Sequence, residues 1–184
     1  SVTPALAITW GQLDDADHPQ YPNVGAIVVR EAPASGALHQ VCSGTLISPT
    51  AFLTAGHCTH ALTSWLANGR IDAVYVSFDR DLPGTLLPVD VKTGIITHPD
   101  YKFPPNSDPH DVGLLILKED VVEKLGITPA TLPPVSGFLD GLRAGGELGH
   151  GSNGAKFTVV GYGGTLSWPP PRITYADQRQ FAVS

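Results

Sequence analysis

His57, inside Thr54-Ala55-Gly56-His57-Cys58, and Asp111, directly ahead of Val112-Gly113-Leu114-Leu115-Ile116-Leu117, are the residues of this chain best suited to chemistry. An imidazole can take a proton from a hydroxyl through one ring nitrogen while the other donates to a carboxylate that holds its tautomer and orientation. Such a pair is a general base with its orienting group, and it does no acyl transfer until a nucleophile is set against the base. Asp111 opens an apolar run, which puts its carboxylate at the rim of a core. Burying a carboxylate without partners is costly, and His57 is the obvious partner. Asp108 and His110 compete for the role. Asp108 precedes Pro109 in the polar stretch 102–110 and reads as solvated, and His110 reads as packing or hydrogen-bonding beside the pair.

The elements that must position this pair read as strands. Apolar or alternating runs fall at 24–30, 39–47, 51–54, 71–79, 86–97 and 112–117, separated by turn-rich segments such as 31–36 and 79–84. That cadence predicts an antiparallel barrel or sandwich, and about six strands suffice for one closed barrel. Residues 1–22 read as an irregular lead-in broken by Gly11, Asp14, Asp15, Pro19 and Pro22, and 23–118 as the first β-barrel. Residues 119–155 lose the cadence and read as a linker with loops, carrying one helical turn near 121–125. A second unit starts at 156–184 with strands at 156–163 and about 177–183, too few for an independently stable sheet.

Composition narrows the function classes. The 184 residues are 42% hydrophobic and 15% charged, enough apolar content for a sizeable core. Formal charge is -6 and no run of Lys or Arg occurs, so neither nucleic acid nor an anionic membrane is an expected partner. No apolar stretch reaches the roughly eighteen residues that a spanning helix requires. The sequence contains no Met, which leads to the expectation of a processed or excerpted chain. Cys42 and Cys58, sixteen positions apart, could be free thiols, part of a metal site with His57 and His60, or one disulfide. A disulfide over this loop contributes about 3 kcal/mol in the chain-entropy description and implies an oxidising compartment. His18, His39, His60, His98 and His150 show no metal-ligand spacing, and no metal site or cofactor is expected.

Cys42-Ser43-Gly44-Thr45-Leu46-Ile47, Leu53-Thr54-Ala55-Gly56-His57-Cys58, Asp111-Val112-Gly113-Leu114-Leu115 and Val159-Val160-Gly161-Tyr162-Gly163 occur in that order. Through them the sequence resembles the trypsin/chymotrypsin-like serine proteases, particularly secreted bacterial members, from about Ile8 to the end. The resemblance implies an all-β fold of two antiparallel β-barrels with the site between them, here the first barrel complete and the second only partly present. It implies His57 as base, Asp111 as its orienter, a Cys42–Cys58 disulfide fixing the backbone beside the base, a polypeptide substrate and a secreted protein. Oligomeric state is not readable. Asp79 and Asp81 could belong to a calcium loop of the kind some relatives carry, but two carboxylates without a ligand pattern read as a solvated turn.

The family's Gly-Asp-Ser-Gly-Gly frame has no match. Ser43 sits in a strand beside the cysteine, Ser152 in a glycine-rich loop, Ser167 before Trp168-Pro169, and Ser184 is last. The expectation is therefore a serine endopeptidase lacking the segment with its nucleophile and inactive as it stands; the alternative is a non-catalytic homologue acting as a binding protein. The family's new amino terminus, Ile-Val-Gly-Gly, is matched in part by Ile8-Thr9-Trp10-Gly11, after the signal-peptidase-like Ala5-Leu6-Ala7. Ile8 as the mature terminus is one expectation, and an ordinary extension the other.

Overall fold

A computed structural model describes residues 11–15, 19–33, 36–103, 110–148, 154–167 and 172–183. In chain order the elements are β1 (Gln12–Leu13), β2 (Val24–Glu31), β3 (Leu38–Leu46), β4 (Ala51–Thr54), α1 (Gly56–Ala67), β5 (Ile71–Ser77), β6 (Leu87–Pro88), β7 (Ile95–Thr97), β8 (Gly113–Ile116), α2 (Val121–Leu125), α3 (Phe138–Ala144), β9 (Thr158–Ser167) and β10 (Arg172–Val183). Seven strands form an antiparallel sheet in the order β6-β5-β2-β3-β4-β8-β7, and a three-stranded sheet runs β1-β10-β9. The larger sheet curls on itself. Val89 bridges Leu117 beyond the ends of β6 and β8, and the amide of Lys118 donates to the Pro88 carbonyl at 3.0 Å.

β2 shows why these residues make this fold. Val24 through Val29 are buried without alternation, as expected of a strand covered on both faces. Ile27 and Val29 point into the main core with Leu46, Phe52, Val76 and Leu115. Ala26 and Val28 point the other way and pack with Tyr162 of β9. One strand therefore serves two cores, and the second sheet docks on its outer face. Ser43 of β3 helps: its Oγ accepts the Tyr162 amide at 2.8 Å and donates to the Tyr162 carbonyl at 3.2 Å.

The largest fully buried side chain among the described residues is Arg179 of β10. Its Nε donates to Asp14 Oδ2 at 2.7 Å and its Nη1 to the Phe78 and Val24 carbonyls at 2.8 and 3.2 Å, with the Tyr162 hydroxyl 3.3 Å away. Tyr162 in turn donates its hydroxyl to the Asp79 carbonyl at 2.6 Å, and burial pushes its phenol up to about 12. A register irregularity in β10 between Ala176 and Arg179 frees this strand to meet the 79–82 loop, where the Arg179 amide donates to the Arg80 carbonyl.

Several elements depart from the pattern read along the chain. The continuous run at 86–97 divides into β6 and β7 because Asp90 builds a turn: its carboxylate accepts the Lys92 amide at 3.1 Å and the Thr93 hydroxyl at 2.6 Å. A twelve-residue helix, α1, follows β4 where only a strand end was read, and α3 lies in the stretch read as linker. The helical turn at 121–125 is present as α2, with the Asp120 side chain capping the Glu123 amide and Gly126 in the left-handed region. Gln12–Leu13, inside the segment read as an irregular lead-in, adds an edge strand to β10. Ile8, His18, Asp108, His150, Ser152 and Ser184 lie outside the described residues. Among the described residues no helix is long and apolar enough to cross a membrane.

Candidate active site

His57 is the second residue of α1, so its position is set by what starts and holds that helix. Ala55, at the N-cap, has no side chain able to cap, which leaves the first-turn amides needing an outside acceptor. Asp111 supplies it. Its Oδ1 accepts the His57 amide at 2.7 Å while its Oδ2 lies 2.8 Å from Nδ1 of the same residue. The helix N-terminus also favours an anion at this place. One carboxylate thus caps the helix and orients the imidazole.

Three further contacts hold α1. The Cys42–Cys58 disulfide ties it to β3, with Cα atoms 6.4 Å apart. Thr59, buried on the inner face, places its hydroxyl 2.7 Å from that of Thr97 at the end of β7 and donates to the Gly56 carbonyl at 3.0 Å. Gly113, two residues after Asp111, makes the close approach possible. A Cβ there would stand 2.6 Å from Thr59 Oγ1 and Cγ2 and 3.0 Å from the Ala55 carbonyl. Any side chain at 113 would push the helix that carries His57 away from the strand that follows Asp111.

Electrostatically the pair is partly open. The His57 and Asp111 side chains are 45% and 31% exposed. Burial pushes the Asp111 carboxyl up, but hydrogen bonds from the His57 ring and amide, the neighbouring imidazole and the Gly56 amide outweigh it and hold the group below its ordinary range. Asp111 is therefore an acceptor at neutral pH. With Nδ1 facing that acceptor, the remaining ring nitrogen is the one able to receive a proton.

The other residues singled out in the sequence have different surroundings. Ser43 is committed to the Tyr162 backbone. Ser167 lies in β9, and Ser152 and Ser184 fall outside the described residues. Asp79 Oδ2 accepts the Thr85 amide, and Asp81 accepts from Gln178 at 2.6 Å and Arg80 at 2.7 Å; the Gln178 and Arg80 bonds hold the Asp81 carboxyl below its ordinary range. His60 stacks on Phe103, ring centres 5.2 Å apart. His110 stacks on His98 at 4.9 Å, and Asp100 joins them in a cluster of donor atoms. That cluster had no signature in local spacing, because pairing of β7 with β8 brings together positions far apart in the chain. The roles of Thr59, Thr97 and Gly113 were equally invisible; only the small residue after Asp111-Val112 hints at a close approach.

A protein-family model described as Trypsin matches residues 11–167. A curated relative, "CLIP domain-containing serine protease B8" of Anopheles gambiae, is 25% identical over 174 residues, covering 86% of this chain and 39% of its own length. A solved structure described as "Structure of GrC" aligns with a TM-score of 0.58 at 20% identity, covering 96% of this chain and 64% of its own. The all-β arrangement, a curled antiparallel sheet beside a second sheet, matches the chymotrypsin-like double β-barrel, here partly complete. The chain spans less than two thirds of the length of either relative.

Proposed function

The chain belongs to the trypsin family of serine proteases, and from that premise we propose that it carries the base and orienting half of a secreted serine endopeptidase. His57 is the general base and Asp111 holds its tautomer, while the family's Gly-Asp-Ser-Gly-Gly frame has no match within these 184 residues. The observation that carries this reading is the double grip of Asp111 on the ring and amide of His57.

In the reaction, the free nitrogen of His57 takes the serine hydroxyl proton as oxygen attacks a peptide carbonyl. The imidazolium formed is stabilised by Asp111, which stays ionised, and then hands its proton to the leaving amine. Water repeats the sequence on the acyl-enzyme. On this reading 23–118 is the first barrel and contains both His57 and Asp111, 119–155 is the crossing linker, and 156–184 is the start of the second barrel. The disulfide supports an oxidising, extracellular setting.

The test is covalent labelling of the full-length protein with a serine-directed fluorophosphonate. Labelling is expected in the wild type and lost in His57→Ala. A full-length protein that takes no label, or a variant that labels as well as the wild type, overturns the assignment and favours a non-catalytic homologue acting through its surface.

A further inference from the structure

His98, Asp100 and His110 take part in none of the steps above. Each offers one ligand atom, and these atoms all lie within 4.8 Å of one another. We propose that these three side chains form a binding site for a divalent first-row transition ion, zinc being the best fit.

The backbone presets the ligands. The His98 amide donates to the Val112 carbonyl at 3.0 Å, the Val112 amide to the His110 carbonyl at 2.7 Å, and the Tyr101 amide to the His98 carbonyl at 3.0 Å. Both imidazoles are half-buried and nearly parallel, 17° apart, with the Asp100 carboxylate exposed beside them. Tetrahedral zinc, with bonds of about 2.0–2.2 Å, needs donor atoms about 3.4 Å apart. Reaching that spacing takes a rotation of the imidazoles out of their stacked arrangement.

The donor set decides the chemical class. Two neutral imidazoles and one carboxylate suit zinc, copper or nickel, whereas calcium and magnesium want shells of six or more oxygens. With three protein ligands the fourth position stays open to water, the arrangement of an accessible rather than a closed structural ion. Existing contacts compete, among them His98 Nδ1, which accepts the Asp100 amide at 3.2 Å, a long bond that the ion displaces or avoids through Nε2, and the stacking of the two imidazoles. The second cluster of candidate ligands, Cys42, His57 and Cys58, is not equivalent, because its two sulfurs are bonded to each other. The proposed ion would join the turn after β7 to the residue before Asp111, independently of whether the chain is proteolytic.

Titration calorimetry of the full-length protein with zinc chloride tests the site. The expected result is one strong ion per chain, with affinity reduced tenfold or more in His98→Ala and in His110→Ala and unchanged in His57→Ala. Cobalt loading should show the visible bands of a four-coordinate nitrogen and oxygen shell without thiolate charge transfer. Affinity unchanged in both histidine variants, loss of binding in His57→Ala, or displacement of zinc by a tenfold excess of calcium each overturns the proposal. Should either histidine variant fail to fold by circular dichroism, Asp100→Asn, at an exposed position, decides: weaker zinc binding supports the site and unchanged binding overturns it.

Discussion

Two acid-base pairs hold distant parts of this chain together at almost the same distance. Arg179 and Asp14, 165 positions apart, meet at 2.7 Å with side chains 1% and 0% exposed. His57 and Asp111, 54 positions apart, meet at 2.8 Å with side chains 45% and 31% exposed. In the first, the guanidinium also reaches the Val24 and Phe78 carbonyls, so its hydrogen-bonding capacity serves the docking of the second sheet on the first. In the second, the carboxylate uses both oxygens on one residue and leaves part of the imidazole uncommitted. Equal geometry therefore does not mean equal purpose: burial turns one pair into a weld, and exposure leaves the other able to exchange a proton.

The comparison is broken most forcefully from the exposed side. For the full-length protease proposed above, His57→Ala should lower kcat by about 10^6-fold, the loss associated with removing a triad base, while its urea midpoint stays near that of the wild type. A large stability loss would mean that His57 is also a structural weld. Asp14→Ala should show the opposite balance. It leaves Arg179 buried beside a missing anion and should cost about 3–5 kcal/mol in equilibrium unfolding, and a loss below about 1 kcal/mol would mean that the buried pair is no more structural than an exposed one.

A smaller effect on the exposed pair follows pH. The Asp111 carboxyl is held below its unfolded value, so its contribution to stability is full above the unfolded carboxylate pKa, about 3.9, and is lost as pH falls through the lower folded value. Asp111→Asn should flatten the acid limb of a stability-against-pH curve below about pH 4, an effect reduced by the solvent around the group. A curve parallel to that of the wild type would show that the hydrogen bonds to His57 do not perturb Asp111. The smallest change belongs to Asp72→Ala. It removes a 2.7 Å contact with Arg30, whose side chain is 30% exposed, and thermal melting should not shift measurably.

The sequence disclosed these regions unequally. The strands at 24–30, 51–54 and 71–79 were legible because apolar runs bounded by turn residues signal burial directly, and β2 announced its double coverage by having no polar residue from Val24 to Val29. The division of 86–97 was not legible, since Asp90 had to be recognised as a turn builder inside an otherwise strand-like run. α1 was hidden for a related reason. Its buried residues Cys58, Thr59 and Leu62 make a narrow inner stripe with little polar contrast along 56–67, and its cap comes from Asp111, far along the chain. His57 and Asp111 were legible as types in a motif, while their mutual geometry required β4 and β8 to pair. Arg179 and Asp14 carried no signal, because a buried ion pair formed across sheets has no local spacing.

The two-handed grip of Asp111 has one more consequence. Because the same carboxylate holds the ring through Oδ2 and the backbone amide through Oδ1, a charge arriving on the imidazole is shared with the first peptide group of α1. Drawing electron density toward the ring weakens the acceptor facing the amide, and releasing the proton restores it. The backbone amide of His57 should therefore respond to a proton on the ring, connected to it by a single side chain, and its amide chemical shift followed against pH is the measurement that checks this.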